Sequence, residues 1–347
     1  MRNSSLILLV TLFIALVDTG QRLSAQEEQL QDGPLPDMVT VVGREPGRTV
    51  RYRGEITDWR GSRITIFTNG RSRTFDNNEL ISVRTTWPAA YNEAETLIAA
   101  GQFNTASQKL QEALDSESRR WAQVAIRAKM VQTLMATENH SEALTLFGSI
   151  LAEDPDTRFI HLAPLPWTGS ASVAQGLASN AEKWIDTAQP VVQLIGASWL
   201  LSGPKRQLAE QRLEQLANSG DDKVAALATA QLWRTVLPTA NEQRVERWSQ
   251  QLSQMPEDVR AGAYLILGTA RGQVNQVDDA VVDLMRIPIL FPDQPDLCAA
   301  ALYKSAELLQ NAGRHDEANA LIRELKGSYA ETSRAGQIEI VSAQDGN

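Results

Sequence analysis

The chain has 347 residues, 43% of them hydrophobic and 22% charged, with a formal net charge of −9. That length can bury a large core and suggests about two domains, and the ordinary hydrophobic fraction excludes a chain that is disordered throughout. The acidic balance argues against nucleic acid as a partner, and a single cysteine, Cys298, excludes an internal disulfide.

Residues 6–17 read LILLVTLFIALV after Met1 and Arg2, an apolar run too short to span a bilayer comfortably but right for the core of a secretory signal. Leu-Ser-Ala ending at Ala25 offers a cleavage site, so residues 1–25 are expected to be a signal peptide. An uncleaved membrane anchor is the alternative. No cysteine stands near the site, which argues against an acylated lipoprotein. Residues 26–37 are polar and broken by Pro and Gly, the composition of a flexible lead-in.

A basic module is expected over residues 38–86, where nine arginines face five acids, whereas residues 87–347 carry a net charge of −10. In TVRYRGEITDW, Val50, Tyr52 and Ile56 alternate with charged and polar residues, the period-two pattern of a half-buried strand. A turn at Arg60-Gly61-Ser62 leads to RITIFT. Asn69-Gly70 then marks a hairpin, because both positions tolerate positive φ. A return strand, a turn at Asp76-Asn77-Asn78-Glu79 and a last strand LISVR complete the module. Four or five short strands in this layout resemble a small SH3-like or Sm-like barrel. Arg51, Arg53, Arg71 and Arg73 fall on neighbouring predicted strands and are the candidate contact for an anionic glycan or membrane surface. The bland reading is a charged strand face that discourages edge pairing.

Residues 87–335 are expected to be helical and repetitive. The first copy has Gly101, Asn104 and Ala106, followed by Leu110 and Ala113 at helical spacing. The second has Ser141, Ala143, Phe147 and Ile150, ended by Pro155. Residues 156–190, containing FIHLAPLPWTGSAS, fit no repeat and read as an insertion or an irregular helical pair. Weaker copies centre on Ala209, with Leu213 and Leu216, and on Arg244, with Trp248 and Pro256. A third clear copy has Tyr264, Gly268, Asp278, Ala280, Leu284, Ile287 and Pro292, and a fourth has Gly313, Asp316, Ala318, Ile322 and Leu325. Each clear copy offers a polar residue read as a helix cap, a small residue where helices touch and an apolar stripe; two also have a proline stop. Residues 336–347 are expected to be a disordered tail.

This pattern resembles the tetratricopeptide repeat, TPR, in its exported form. The resemblance implies a mainly α fold, a TPR-like α-solenoid of stacked helical hairpins, whose concave face binds a protein segment. It implies a non-enzymatic adaptor in the periplasm or cell envelope, with protein partners and no cofactor.

No phosphate-cradling, nucleophile-elbow or zincin motif is present. His140 and His315 share one repeat slot with Phe103 and Val277 and read as turn-packing residues; His161 has no second ligand at a recognised metal spacing. Cys298 reads as a small buried residue. Asp278-Asp279 and Asp316-Glu317 are placed at helix starts, where the helix dipole favours negative charge. Trp167, Trp184, Trp199, Trp233 and Trp248 keep a second function class open, a cell-wall or glycan-associated protein using aromatic platforms in the middle of the chain.

Overall fold

The computed structural model describes residues 36–45, 47–167 and 171–339, without the side chains of residues 171–176. The expected signal peptide, the lead-in as far as residue 35 and residues 340–347 lie outside the described residues. The described chain forms two compact units: residues up to Thr57 with Arg63–Trp87, and Asp58–Ser62 with Pro88 onward.

The first unit is an antiparallel sheet of five strands, β1 Asp37–Val42, β2 Thr49–Arg60, β3 Arg63–Thr68, β4 Arg71–Asp76 and β5 Leu80–Arg84. Their order is β4-β3-β2-β1-β5. The first strand, DMVTVV, was not singled out from sequence although its run of β-branched residues is a strand signal. Asn69 and Gly70 have φ of 49° and 74°, the left-handed pair that a two-residue hairpin between β3 and β4 requires. Val39, Val41, Ile56, Ile64 and Ile66 form the buried face. Asp37 ties β1 to its surroundings by accepting from the Ile56 amide at 2.7 Å and from the Thr85 hydroxyl. The run 76–79 is a short 3₁₀ turn in which Glu79 reaches back to the Asp76 amide at 2.9 Å, a capping box.

Thirteen α-helices follow among the described residues. The first six are α1 Ala89–Ala99, α2 Phe103–Ser116, α3 Arg120–Ala136, α4 His140–Glu153, α5 Ala171–Trp184 and α6 Pro190–Leu200. The remainder are α7 Arg206–Ala217, α8 Asp222–Val236, α9 Glu242–Gln254, α10 Ala261–Gln273, α11 Val277–Leu290, α12 Pro295–Asn311 and α13 His315–Ser328. Neighbours pair as hairpins, and α6, α8, α10 and α12 also touch in sequence along an inner row. The row closes on itself: α12 packs against α3, and Glu331 accepts from the Asn104 amide at 2.8 Å. Inner helices have apolar residues all round because they are covered on both sides. In α10, nine of thirteen residues are buried.

The four clear repeats share one turn, which explains their spacing. Gly101, Glu138, Asn275 and Gly313, each five residues before Ala106, Ala143, Ala280 and Ala318, all have positive φ, of 70°, 59°, 63° and 76°. In each turn the next amide, of Gln102, Asn139, Gln276 or Arg314, donates back to Leu97, Leu134, Arg271 or Leu309 at 2.8–2.9 Å. This is a Schellman ending, and the residue that completes it also starts the following helix, since its carbonyl accepts from the alanine amide at 2.9–3.0 Å. The four alanines are fully buried, and a Cβ on Gly268 would lie 2.6 Å from Leu284. Only small side chains fit where the paired helices cross.

Sequence reasoning put the caps two residues too late. Asn104, Ser141, Asp278 and Asp316 lie inside the first turns of α2, α4, α11 and α13, whose caps are Gln102, Asn139, Gln276 and Arg314 with no side-chain capping bond. The left-handed residue fixes the helix start, so a capping side chain is not needed there. Pro155 and Pro292 each stand two residues beyond a helix end, while Pro288 lies within the last turn of α11. Around Ala209, Leu213 and Leu216 the stripe of α7 is buried; in α9 it runs through Val245, Trp248 and Leu252, one residue later than the Arg244 register. Past α13, a short helical turn Ser333–Gly336 carries Ala335, and Ile338 follows, both buried in the same core, so ordered contacts continue beyond residue 335.

Candidate functional site

The concave side of the helical row is partly covered by the chain itself. Residues 156–167, the first part of the segment 156–190 that fits no repeat, have only a short 3₁₀ turn at Ile160–Leu162, and Ile160, Leu162, Ala163, Leu165 and Trp167 are all buried in the main core. The Trp199 indole N–H donates to the Pro164 carbonyl at 2.9 Å. The Trp167 ring lies flat on α10: a Cβ at Gly262 would come 2.2 Å from its Cε2. Proline suits this strip because it presets an extended backbone and removes amide donors that a buried, irregular segment could not pair. Residues 160–167 thus cover part of the inner-helix surface on α6 and α10.

Next to this strip a cavity of about 100 Å³ remains. Trp167, Trp199 and Leu297 form apolar walls, and His140, Arg234 and Asp296 bring polar groups to it. Burial pushes the Arg234 guanidinium down to about 10 and the Asp296 carboxyl up to about 6, the latter although two backbone N–H groups favour its charged form. Arg234 Nη1 donates to the Ser198 carbonyl at 3.3 Å and to Gln231 Oε1. Arg334, also on the wall, stacks over Tyr303 and donates to Gln337 at 2.8 Å. A second, shallower apolar groove of about 340 Å³ is lined by Leu144, Gly148, Trp184 and Val192.

The tryptophans are mostly core. Trp167, Trp199, Trp233 and Trp248 are buried, and the last two stack with centroids 5.1 Å apart. Trp184 alone of the five is partly exposed, so the row of aromatic platforms expected of a glycan binder is not assembled. Cys298 is buried, donates to the Phe291 carbonyl and is pushed up to about 12 by burial, an environment that suppresses the reactive thiolate. His161 gains a partner that sequence spacing could not show: its Nε2 lies 3.1 Å from Asp293 Oδ2, 132 residues away. Burial works to raise the Asp293 carboxyl, but the His161 hydrogen bond and charge outweigh it and hold it below its ordinary value. Among the described residues no group of three His, Cys, Asp or Glu side chains could hold a metal ion.

The four candidate arginines are exposed but do not form one cluster. Strand β3 separates β2 from β4, so Arg51 and Arg53 are not on a strand adjacent to Arg71 and Arg73. Arg73 reaches over the Tyr52 ring at 5.2 Å, on the face opposite to Arg51 and Arg53, and Arg71 shares its parity. Sequence alternation gave each strand its faces but not the strand order that separates the pairs.

On the outer side of the helical unit, α11 exposes Val282, Ile289 and Leu290, all more than half accessible. Val282 and Ile289, seven residues apart, share one face of the helix. Asp278 and Asp279 at its start are strongly exposed.

Residues 97–163 match a family model described as tetratricopeptide repeat, and residues 300–332 match a second model of that description. No curated protein sequence matches the chain. The first match spans α2 to α4 and the second spans most of α12 and α13, and together they contain three of the four shared turns. Such repeats are generally non-enzymatic and mediate contacts between proteins. The helical unit is a TPR-like α-solenoid that follows a small five-stranded antiparallel sheet.

Proposed function

We propose that the protein is an exported, non-enzymatic adaptor that binds a protein partner in the cell envelope. The observation that carries the partner reading is the exposed apolar stripe of α11 in a TPR-like stack whose concave side is partly covered by its own chain. Contacts to a partner then fall on the outer helices. Val282, Ile289 and Leu290 suit a partner segment that presents apolar side chains, since Asp278 and Asp279 beside them are already paired with Arg314 and Arg271. Export rests on the apolar run 6–17 and the site at Ala25, and N-terminal sequencing of the mature protein tests it: an N-terminus at Gln26 supports cleavage, and an intact Met1 in a cytosolic fraction sinks it. The sheet, with β1 between β2 and β5, supports a small SH3-like barrel. In that module Arg51 and Arg53 on one face, and Arg71 and Arg73 on the other, are two separate points for contact with an anionic glycan or membrane surface.

The test is in-cell crosslinking of a C-terminally tagged chain, with Ile289→Asp alongside. Residue 289 is 69% exposed, so the variant should fold as the parent does. Recovery of the same few envelope proteins with the parent and their loss with Ile289→Asp supports the reading. Equal recovery with both moves the partner surface elsewhere, and recovery with insoluble cell wall and no protein overturns the adaptor role.

A further inference from the structure

We propose that the cavity beside the 159–167 strip is a binding site for a short-chain monocarboxylate, held by Arg234. This inference is independent of the adaptor reading. Its basis is an unmatched guanidinium edge. Arg234 uses Nη1 for the Ser198 carbonyl and Gln231, and its Nε and Nη2 find no acceptor among the described residues. Nor does any carboxylate lie within ion-pair distance of it among the described residues, although 13 other basic side chains of the helical unit have one. The Nε–Nη2 edge is a fork that matches the two oxygens of a carboxylate. A deeply placed cation without a counter-ion is costly unless something supplies the negative charge. A second polar atom on the wall, His140 Nδ1, is buried and has no hydrogen-bond partner.

Size and wall chemistry narrow the ligand. A dry cavity of about 150 Å³ holds a benzene, so about 100 Å³ leaves room for a group of some four to six heavy atoms. A peptide does not fit in that volume. Trp167, Trp199 and Leu297 supply an apolar surface for a short alkyl tail, while Arg234 takes the carboxylate. The lining also holds Glu138 and Asp296. Glu138 is engaged by the Ser333 hydroxyl, and two acids already on the lining would repel a second negative charge, so a monoanion is favoured over a dicarboxylate.

The experiment titrates the purified full chain with sodium propionate, and separately with propionamide, which has nearly the same shape and no charge. Indole fluorescence reports directly, because Trp167 and Trp199 are walls of the cavity, and the melting temperature gives a second readout. Propionate should saturate with a Kd between about 10 μM and 1 mM and raise the melting temperature, and propionamide should do neither. Arg234→Lys, which keeps the charge but loses the fork, should weaken binding at least about tenfold, and Arg234→Met should abolish it. Should Arg234→Met not fold, the lysine variant and the amide control carry the decision. The proposal is overturned by an absence of any saturable response to formate, acetate or propionate, by an equal response to propionamide, or by unweakened binding in the Arg234→Lys chain.

Discussion

The two ends of the helical unit and its middle solve one problem in different ways. At the ends, α1 to α4 and α10 to α13 are built on a repeated local device: a left-handed residue, a Schellman ending and an alanine at the helix crossing. In the middle, α5 to α9 lack that device, and order comes from long-range burial of large side chains. Trp199 is tied to Pro164 and Trp233 lies on Trp248, and just before α5 Trp167 lies on Gly262 of α10. Local devices repeat because each depends on a handful of neighbours, whereas a tryptophan in a closed core has a singular environment. The ends should therefore tolerate change in small, similar steps, and the middle should fail in large, individual ones.

The largest expected effect is at the strip. Trp167→Ala removes an indole that is 9% exposed and packed on α10, and should cost about 3–5 kcal/mol of unfolding free energy. Equilibrium denaturation in urea measures it. A loss below about 1 kcal/mol would show that residues 159–167 rest on the helices without stabilising them, and would reopen the concave side as a binding surface. Gly262→Ala attacks the same contact from the other side, since a Cβ there meets a rigid ring. Overpacking of this kind costs about 1–3 kcal/mol, and in the double variant with Trp167→Ala most of that penalty should vanish.

Next in size is the pH dependence of Asp296. Its side chain is only half-buried by surface, because it faces the cavity, yet it lies deep in the unit and burial raises its carboxyl from the ordinary 3.8 to about 6. An acid whose folded value is raised binds its proton more tightly in the folded state. Its contribution is then most favourable below about pH 4, is lost between about pH 4 and 6, and stays absent above. The loss is at most about 3 kcal/mol. Asp296→Asn should leave stability at pH 4 little changed and raise it at pH 8. Parallel pH profiles for the two chains would show that the cavity is wet enough to solvate the charge.

These contrasts explain what could be read from residues alone. Strand alternation, Asn69-Gly70 and the alanine anchors are local signals, and they were legible because the physics that produces them acts within a few residues. The start of each repeat helix was misplaced because Asn104, Ser141, Asp278 and Asp316 look like caps, while the deciding feature is a positive φ that Glu138 and Asn275 do not advertise as glycine does. The cavity could not be read at all. Arg234 sits in an apolar periodic run, and only closure of the helical row brings it near His140 and Asp296. The segment 156–190 was legible as an exception, but its role as a partial cover of the concave side depends on contacts with α10, about a hundred residues away.

The smallest effect, and the one that tests the equivalence of the four turns most finely, is Gly→Ala at their left-handed position. At Gly313 nothing lies near the new Cβ, so only backbone strain is added, about 1 kcal/mol. At Gly101 the same strain is joined by a collision, because the Cβ would fall 2.5 Å from the Ser328 carbonyl oxygen where the two ends of the row meet. The Gly101→Ala loss should then exceed the Gly313→Ala loss by about 1 kcal/mol or more. Both turns have similar φ, 70° and 76°, and the same Schellman bonds, so the difference between the two variants isolates the closure of the row from the turn itself. Equal losses would mean that the end-to-end contact yields without cost; an excess at Gly101 would show that closure constrains the first repeat as firmly as its own turn does.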